Sequence, residues 1–418
     1  MQLKKILKIL GPGLLYAGAA IGVSHLVQST RAGANFGFDL LWVLVLANVI
    51  KYPFFEFGTR YAVATNQSLI EGYRRIGQWA IIAFALLTLA TMFTIQAAVT
   101  IVTAGIVANV FNISMSPVHL SAIILGLTML VLMIGRYKLL DRTIKVVIVI
   151  LATSTIIAVL SAFGKSAEAP ARVFHFDWSI DLHIFFLIAF IGWMPAPIDI
   201  SVWSSLWTVA KHKELDFKPT LKESLTDFKI GYIGTIILAI CFLTLGALVM
   251  HGTGQELSEQ GSVFAGQLIN MYTSSIGQWA YWVIAIAAIT TMFSTTLTCL
   301  DAYPRILIPT TEILFPGVKR RLPDRRYLYW VWILIVTVGA LVLLEFFVSS
   351  MRFMVDLATT LSFLTAPALA IMNYKVVTDK HMPLEDRPNK AMRIYAWAGM
   401  IFLTAFTLFY VIWNVVLR

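Results

Sequence analysis

The sequence predicts an all-α polytopic membrane protein with eleven transmembrane helices, arranged as two inverted repeats of five helices and one additional helix. Three observations lead to this fold class. Long apolar segments alternate with short polar connections, basic residues collect in every second connection, and the first and sixth apolar segments carry residues that interrupt a helix. Together they describe a chain that lies almost entirely within a lipid bilayer.

The composition excludes a water-soluble fold. Of the 418 residues, 59% are hydrophobic and 13% are charged, whereas an average soluble domain carries about 25% charged residues. One helical span needs about 20 apolar residues, so the length allows on the order of ten spans and no large soluble domain. Cys241 and Cys299 are the only cysteines and both lie in apolar segments, so we expect neither a redox pair nor a thiolate metal site.

Eleven apolar segments are long enough to cross the bilayer. The stretch from Ile76 to Gly135 contains no Asp, Glu, Lys or Arg, and its turn-like break between Asn112 and Val118 divides it into two helices. All segments belong to one integral membrane domain, 1–418. The predicted spans are 9–32, 38–63, 77–110, 118–135, 144–164, 183–209, 230–250, 276–302, 327–347, 350–374 and 392–416.

The distribution of Lys and Arg predicts the orientation, because these residues concentrate in cytoplasmic connections. With the N-terminus inside, 26 of the 32 basic residues fall on the cytoplasmic side. An odd number of spans then places the C-terminus outside the cell membrane. The basic residues are scattered between apolar segments and form no patch on one face, so the expected partner is the lipid bilayer and not a nucleic acid.

A short internal echo supports an inverted repeat. The sequence Ile-Gly-Gln-Trp-Ala at 76–80 recurs at 276–280, and Thr-Met-Phe at 91–93 recurs at 291–293. The copies open the third and eighth spans, which the charge pattern orients in opposite directions. Coincidence in an apolar sequence is the alternative explanation. The predicted first repeat is 1–164, the second is 183–374, and the additional helix is 392–416.

Residues that break helices lie in the first and sixth spans, as expected for the first helix of each repeat. The first span contains Gly22, Ser24 and His25 near its middle, and the sixth contains Pro195 and Pro197. A proline inside a helix removes a hydrogen bond and costs about 3 kcal/mol or more. Two prolines one residue apart predict an interruption whose freed carbonyls point into a cavity.

Asp199, just after these prolines, is the strongest single candidate for a functional residue. A carboxylate inside the membrane is energetically unfavourable unless it binds a cation, takes a proton or pairs with a basic residue. His25 lies at a matching depth, and the Met194 thioether favours a soft transition metal. The alternatives without a role in binding are a structural hydrogen bond for His25 and packing for Met194. The predicted substrate-binding residues are Gly22, Ser24, His25, Met194, Ala196 and Asp199, and the predicted metal ligands are His25, Met194 and Asp199.

Charges in the second span have structural interpretations. Glu56 and Arg60 are spaced i, i+4 on one helix, so we expect them to pair. Lys51 lies near the centre of the span, where the candidates for a counter-charge are Asp356 and Asp301.

The sequence shows no hydrolytic constellation and no phosphate-binding glycine loop of P-loop form. We therefore expect neither an enzyme nor an ATP-driven pump, and no cofactor. Transport would be passive or driven by a gradient, and the expected substrate is a small inorganic ion or a small solute.

The chain resembles the Nramp family of divalent metal transporters, most closely in its first two spans and its sixth. The matching residues are Gly11-Pro12, Gly33, Gly37, Leu41-Trp42, Asn48 and Met194-Pro195. The resemblance covers most of the chain in hydropathy. It implies the LeuT-like fold, a five-plus-five inverted repeat with a cytoplasmic N-terminus, discontinuous helices 1 and 6, and commonly eleven or twelve spans.

The metal motif of that family is not retained. Its helix-one sequence Asp-Pro-Gly-Asn reads Gly-Val-Ser-His at 22–25, and its helix-six sequence Met-Pro-His-Asn reads Met-Pro-Ala-Pro at 194–197. The third span also lacks the acidic residues of the family's proton route. The resemblance therefore implies a divergent, Nramp-related transporter without family-type proton coupling.

Two hypotheses for the substrate remain open. The leading one is a secondary transporter that moves a divalent metal ion by alternating access, because Asp199 is the only carboxylate on either broken helix and can compensate a cation. If Asp199 turns away from the pocket, the pocket is neutral or positive. It then favours the alternative, a non-metal substrate such as a small organic acid, an amino acid or an inorganic anion.

Overall fold

The computed structural model describes residues 11–135, 137–163, 175–215, 217–321, 324–347 and 350–416. All regular elements in these ranges are helical. In chain order the α-helices are α1 (Pro12–Ala20), α2 (Thr30–Phe36), α3 (Leu41–Thr65), α4 (Leu69–Ile76), α5 (Gln78–Val110), α6 (Pro117–Ile134), α7 (Tyr137–Phe163), α8 (Asp181–Trp193), α9 (Ile200–Glu214), α10 (Leu221–Val249), α11 (Gly261–Ile276), α12 (Tyr281–Leu314), α13 (Pro316–Arg321), α14 (Arg325–Phe347), α15 (Met351–Thr378) and α16 (Lys390–Val416).

Within these ranges, eight helices are long and apolar enough to cross a bilayer, namely α3, α5, α6, α10, α12, α14, α15 and α16. Large apolar side chains such as Leu86, Leu130 and Phe346 are exposed on the surfaces of these helices, which suits contact with lipid and not with water. The fold is thus an all-helical, multi-pass membrane protein. The count of eleven crossings stays a prediction.

The seventh and eighth spans are longer than the apolar pattern predicts. Thr220 and Glu223 form a capping box, in which each side chain accepts a hydrogen bond from the backbone N–H of the other residue. With this cap α10 begins at Leu221, ahead of the predicted start of the span at residue 230. The charged residues between these two positions are therefore helical. α12 continues past the predicted end at residue 302, with Pro304 and Pro309 inside the helix.

The first span is interrupted, as predicted. α1 ends at Ala20, and a π-helical turn, Ser24–Ser29, leads into α2. Gly22 stands in the interruption, where its carbonyl accepts hydrogen bonds from the N–H groups of both His25 and Leu26, at 3.1 and 2.9 Å.

The sixth span is interrupted between Trp193 and Ile200, and the Met194–Pro195 peptide bond is cis. Its first half, α8, contacts the π-helical turn of the first span, and its second half, α9, contacts α1. Because matching halves pack together, the two interruptions lie beside each other in the bundle.

Close backbone contacts hold the interrupted first span against α10. A Cβ at Gly13 would lie 2.1 Å from the carbonyl oxygen of Asp227, and a Cβ at Gly33 would lie 1.9 Å from that of Leu243. The Asp227 carboxylate also accepts hydrogen bonds from the N–H groups of Gly11 and Gly13, at 3.2 and 2.7 Å. α10 therefore positions both halves of the broken helix.

The two copies of the internal echo share a glycine turn, although residues 78–80 begin an α-helix and residues 278–280 form a 3-10 turn. Gly77 and Gly277 both adopt positive φ, 142° and 104°, and each carbonyl accepts a 3.1 Å hydrogen bond from the N–H of Ala80 or Ala280. The helices that follow, α5 and α12, pack against each other. This equivalence supports a repeat, while the boundaries at 1–164, 183–374 and 392–416 stay predictions.

Candidate substrate site

Thr295 of α12 closes one side of the interruption in the first span. Its Oγ1 lies 3.4 Å from the carbonyl oxygen of Ile21 and 3.1 Å from that of Thr291, and can donate to either. A Cβ at Gly22 would lie 2.8 Å from Thr295 Oγ1 and 2.9 Å from its Cγ2. A ligating side chain at position 22 would therefore have to displace Thr295.

His25 is fully buried and uses both ring nitrogens. Its Nε2 donates to the carbonyl oxygen of Thr235 in α10, 2.9 Å away, because a carbonyl can only accept. The neutral ring then accepts at Nδ1 from Ser24 Oγ, at 2.7 Å. The same hydroxyl lies 2.7 Å from the carbonyl oxygen of Ala20, so one proton serves two acceptors. A metal ion could bind His25 only after one of these hydrogen bonds breaks.

Lys51 of α3 donates hydrogen bonds to two carbonyls at the break in the sixth span. Its fully buried Nζ donates to the carbonyl oxygens of Ile191, at 2.5 Å, and Gly192, at 2.8 Å. These carbonyls belong to the last turn of α8, where the helix dipole places partial negative charge. An ammonium group therefore occupies the position at which freed carbonyls could bind a cation.

Neither Asp356 nor Asp301, the two carboxylates that the sequence offers as a possible counter-charge, pairs with Lys51. Asp356 forms an ion pair with Arg31, at 2.7 Å, and Asp301 forms one with Arg305, at 2.7 Å. Each carboxylate already has an arginine nearby. Among the described residues no carboxylate pairs with Lys51, so its charge is stabilised by carbonyl dipoles alone. The expected pair of Glu56 and Arg60 is confirmed, at 2.6 Å.

Met194 and Ala196 lie in the break and are buried. Met194 belongs to an apolar cluster that includes Leu44 of α3, Ile188 of α8 and Phe363 of α15. Its thioether therefore packs among hydrocarbon side chains in this state. Pro195 and Pro197 lie in the same non-helical segment, as expected for the helix-breaking residues.

Asp199 lies at the end of the break, just before α9, and is 6% exposed. Among the described residues, neither of its carboxylate oxygens has a hydrogen-bond partner. The residue lines a cavity of about 10 Å³ between the break, α5 and α15. A buried carboxylate without a donor is destabilising unless a cation or a proton compensates its charge.

The three predicted metal ligands thus have different neighbours. His25 binds a carbonyl of α10, Met194 packs in an apolar cluster, and Asp199 lines a cavity beside α5 and α15. Within the described ranges, no three His, Cys, Asp or Glu side chains form a group that could hold a metal ion. A metal site shared by these residues stays a prediction.

The two ends of the described part of the molecule differ. A cavity of about 1190 Å³ lies at the end that the charge pattern assigns to the cytoplasm, lined among others by Leu15 of α1, Trp207 of α9 and Arg325 of α14. At the other end, the ion pair of Arg31 and Asp356 joins α2 to α15.

Sequence reasoning missed Thr235, Thr295 and the pair of Arg31 and Asp356. Threonines in apolar helices follow no distinctive pattern, and an ion pair between distant helices depends on tertiary packing. For Lys51 the sequence did offer a signal of a buried contact. Its position near the middle of a span requires hydrogen-bond acceptors inside the bundle.

Comparison with known proteins relates the chain to a family. The model described as Nramp, natural resistance-associated macrophage protein-like, matches residues 13–413. An uncharacterized protein of Pasteurella multocida, PM0681, is 36% identical over 406 residues, which cover 96% of this chain and 91% of that protein. A Yersinia pestis protein named divalent metal cation transporter MntH is 37% identical over 73 residues, 17% of this chain and 18% of that protein.

Solved structures agree on the fold. A mutant of the Eremococcus coleocola manganese transporter superposes with a TM-score of 0.70 at 14% identity, covering 98% of this chain and 87% of that one. MhsT in complex with L-phenylalanine superposes with a TM-score of 0.66 at 16% identity, covering 95% and 97%. At these identities the likeness establishes the fold alone, which is the LeuT-like fold of membrane transporters.

Proposed function

This chain belongs to the Nramp family, and on that premise we propose that it is a secondary transporter that moves a divalent metal ion by alternating access. The observation that carries the proposal is the pairing of two interrupted helices whose matching halves are in contact. Interrupted helices at this position are where secondary transporters bind substrate. The names of the Yersinia pestis and Eremococcus coleocola proteins support a divalent metal as cargo.

Alternating access accounts for the asymmetry of the molecule. The large cavity lies at one end, while the pair of Arg31 and Asp356 joins two helices at the other. The charge pattern supports a cytoplasmic N-terminus, an outer C-terminus and location in the cell membrane, so the open end is the cytoplasmic one. In this state the transporter faces the cytoplasm.

A metal ion at the break would be bound by Met194, by carbonyls of the unwound segments and by His25, with Asp199 compensating its charge. This arrangement requires His25 to release Thr235 or Ser24 and Asp199 to leave its present cavity. Family-type proton coupling is lost in this proposal, because no acidic residue lies between Ile76 and Gly135.

Lys51 favours a second candidate, a small anionic solute such as an organic acid, an amino acid or an inorganic anion. Its ammonium lies on the carbonyls of Ile191 and Gly192 and has no carboxylate partner among the described residues. A divalent cation beside it would be repelled at low dielectric, whereas an anionic group would be attracted. A metal transporter must therefore move or neutralise Lys51.

Uptake and binding measured on the same preparations separate the two candidates. Wild type, Asp199→Asn, Lys51→Met and Lys222→Met would be reconstituted in proteoliposomes and tested for uptake of manganese. Purified proteins would be tested for thermal stabilisation by metals and by a panel of small anions. A ligand at 100 times its dissociation constant adds about 2.7 kcal/mol to stability. Lys222 is exposed on the first turn of α10, so Lys222→Met is a control that removes the same charge far from the break.

The two candidates predict opposite results for Lys51→Met. If the cargo is a metal, wild type takes up manganese, Asp199→Asn loses uptake, and removing the ammonium strengthens metal binding. If the cargo is an anion, Lys51→Met loses the stabilisation by the anion. Lys222→Met behaves like wild type in both cases. Absence of uptake for every divalent ion would remove the metal proposal.

A further inference from the structure

The cavity beside Asp199 has the chemistry of a small cation site. It lies between the break of the sixth span, α5 and α15, and its polar lining consists of Asp199, Thr88, Thr91, Ser362 and Thr365. All of these side chains offer oxygen atoms, and hard cations prefer oxygen ligands.

The hydroxyl protons of Thr91, Ser362 and Thr365, three of the four hydroxyl residues around the cavity, are already donated elsewhere. Thr91 Oγ1 donates to the carbonyl of Leu87 at 3.0 Å, and Thr365 Oγ1 donates to the carbonyl of Ser362 at 3.1 Å. Ser362 Oγ donates to the carbonyl of Ala358 at 2.9 Å. Ser362 Oγ also accepts a hydrogen bond from Trp193 Nε1 at 2.7 Å, whereas the lone pairs of Thr91 and Thr365 can accept a cation. These three hydroxyls have no second proton to give to the Asp199 carboxylate.

Charge and size select the cation. Asp199 supplies one negative charge, which balances a monovalent ion and leaves a divalent ion half compensated. The volume of about 10 Å³ accommodates one small guest. Together with the two unpartnered carboxylate oxygens of a residue that is 6% exposed, these limits point to a small, hard, monovalent cation.

We propose that this cavity binds a sodium ion, held by the carboxylate of Asp199 and the hydroxyl oxygens of Thr88, Thr91 and Thr365, and that the ion couples transport to a sodium gradient. The proposed coupling rests on the transport function above, whereas the binding of sodium does not. The ligands come from both predicted repeats, with Thr88 and Thr91 in the first and Asp199 and Thr365 in the second. Rocking of one repeat against the other would assemble and split the site once per cycle. One carboxylate cannot compensate the charges of sodium and of a divalent metal at the same time. The two ions would therefore bind Asp199 in different conformational states of the transport cycle.

Binding of radioactive sodium to the purified full-length protein tests the site directly. The variants are Asp199→Asn and Thr91→Val, with Thr94→Val as the matched control. Thr94 lies on the same helix and its hydroxyl likewise donates to a carbonyl of its own helix, that of Thr91 at 2.9 Å, but it does not line the cavity. Sodium-dependent thermal stabilisation, measured against choline at constant ionic strength, provides a second readout and shows whether each variant is folded.

We expect wild type and Thr94→Val to bind sodium alike, Thr91→Val to bind about tenfold more weakly, equivalent to about 1.4 kcal/mol, and Asp199→Asn to lose sodium binding while remaining folded. Absence of sodium binding by wild type, or undiminished binding by Asp199→Asn, overturns the site. Uptake that is the same with and without a sodium gradient overturns the coupling role. Failure of all uptake with sodium binding intact contradicts the proposed transport function and not the ion site.

Discussion

The guanidinium of Arg31 binds the carboxylate of Asp356 through two hydrogen bonds, with Nη1 2.7 Å from Oδ1 and Nη2 3.2 Å from Oδ2. Arg31 is 4% exposed, and Gln28 adds a hydrogen bond to the same carboxylate at 3.1 Å. The pair joins α2, in the second half of the first span, to α15 at the end opposite the large cavity. Opening of that end must separate the two charges.

Asp356→Asn should favour the outward-open state. The Asp356 side chain is 32% exposed, so breaking its pair with the buried Arg31 costs less than the about 3–5 kcal/mol of a fully buried pair. A shift of about 1.4 kcal/mol already changes a population tenfold. A cysteine at Thr359, which is fully buried, should then react at least about tenfold faster with a membrane-impermeant thiol reagent. The measurement uses a Cys241→Ala and Cys299→Ala background.

Glu259→Gln is the control for this experiment. Glu259 pairs with Arg352 at 3.1 Å, but its side chain is 58% exposed, and exposed pairs contribute little. Reactivity at position 359 should stay unchanged in this variant. Equal reactivity in Asp356→Asn and the control would argue that the pair of Arg31 and Asp356 does not hold the outer end closed.

Gly22→Ala should destabilise the protein by about 1–3 kcal/mol, the range for overpacking in a dense core. The added Cβ would lie 2.8 Å from Thr295 Oγ1, so Thr295→Ala should relieve the clash in the double variant. Thermal unfolding in detergent measures both effects. Gly234→Ala, where no atom lies within 4 Å of the added Cβ, should be neutral or stabilising. If Gly22→Ala matched that control, close contact with Thr295 would not be the reason for glycine at position 22.

Asp227→Asn should loosen the inner half of the first span. The Asp227 carboxylate accepts from both Gly11 and Gly13, and an amide offers only one accepting oxygen. Hydrogen exchange of a peptide covering residues 11–20 should become about tenfold faster, as the loss of about 1.4 kcal/mol predicts. Thr226→Ala, in the same turn of α10, removes a hydroxyl that bonds only its own helix at Lys222 and should leave exchange unchanged. Equal exchange in the two variants would contradict this anchoring role.

Ser24→Ala should destabilise the protein by about 1–3 kcal/mol, the cost of leaving buried polar groups unsatisfied. The Ser24 hydroxyl serves both the carbonyl of Ala20 and Nδ1 of His25. Thermal unfolding checks the loss, with Thr153→Ala as the control, because Thr153 is exposed and bonds only the carbonyl of Val149. The same variant frees Nδ1 of His25, so manganese binding should be retained or strengthened if His25 is a ligand. Because Ser24 is itself a predicted substrate-binding residue, weaker manganese binding in a folded Ser24→Ala protein would assign the contact to the Ser24 hydroxyl and not to Nδ1 of His25.

The sequence predicted the positions of the two helix breaks because glycine and proline act locally. Pro195 and Pro197 remove backbone donors wherever the helix lies, and Gly22 lowers the cost of a non-helical turn. The pair of Glu56 and Arg60 was predictable for the same reason, since residues four apart share one helix face. The membrane location of the chain, the two helix breaks and the pair of Glu56 and Arg60 can therefore be predicted from the sequence without any knowledge of the packing.

The partners of Lys51 and His25 and the cavity beside Asp199 were decided only by the tertiary structure. The sequence shows that a buried ammonium needs acceptors, but not that the carbonyls of Ile191 and Gly192 supply them while arginines take Asp356 and Asp301. Electrostatic and hydrogen-bonding partners depend on distances of a few ångströms between helices far apart in the chain. Local backbone preferences operate within a few residues, so the sequence determined where the helices break, and the packing of the bundle determined what each break faces.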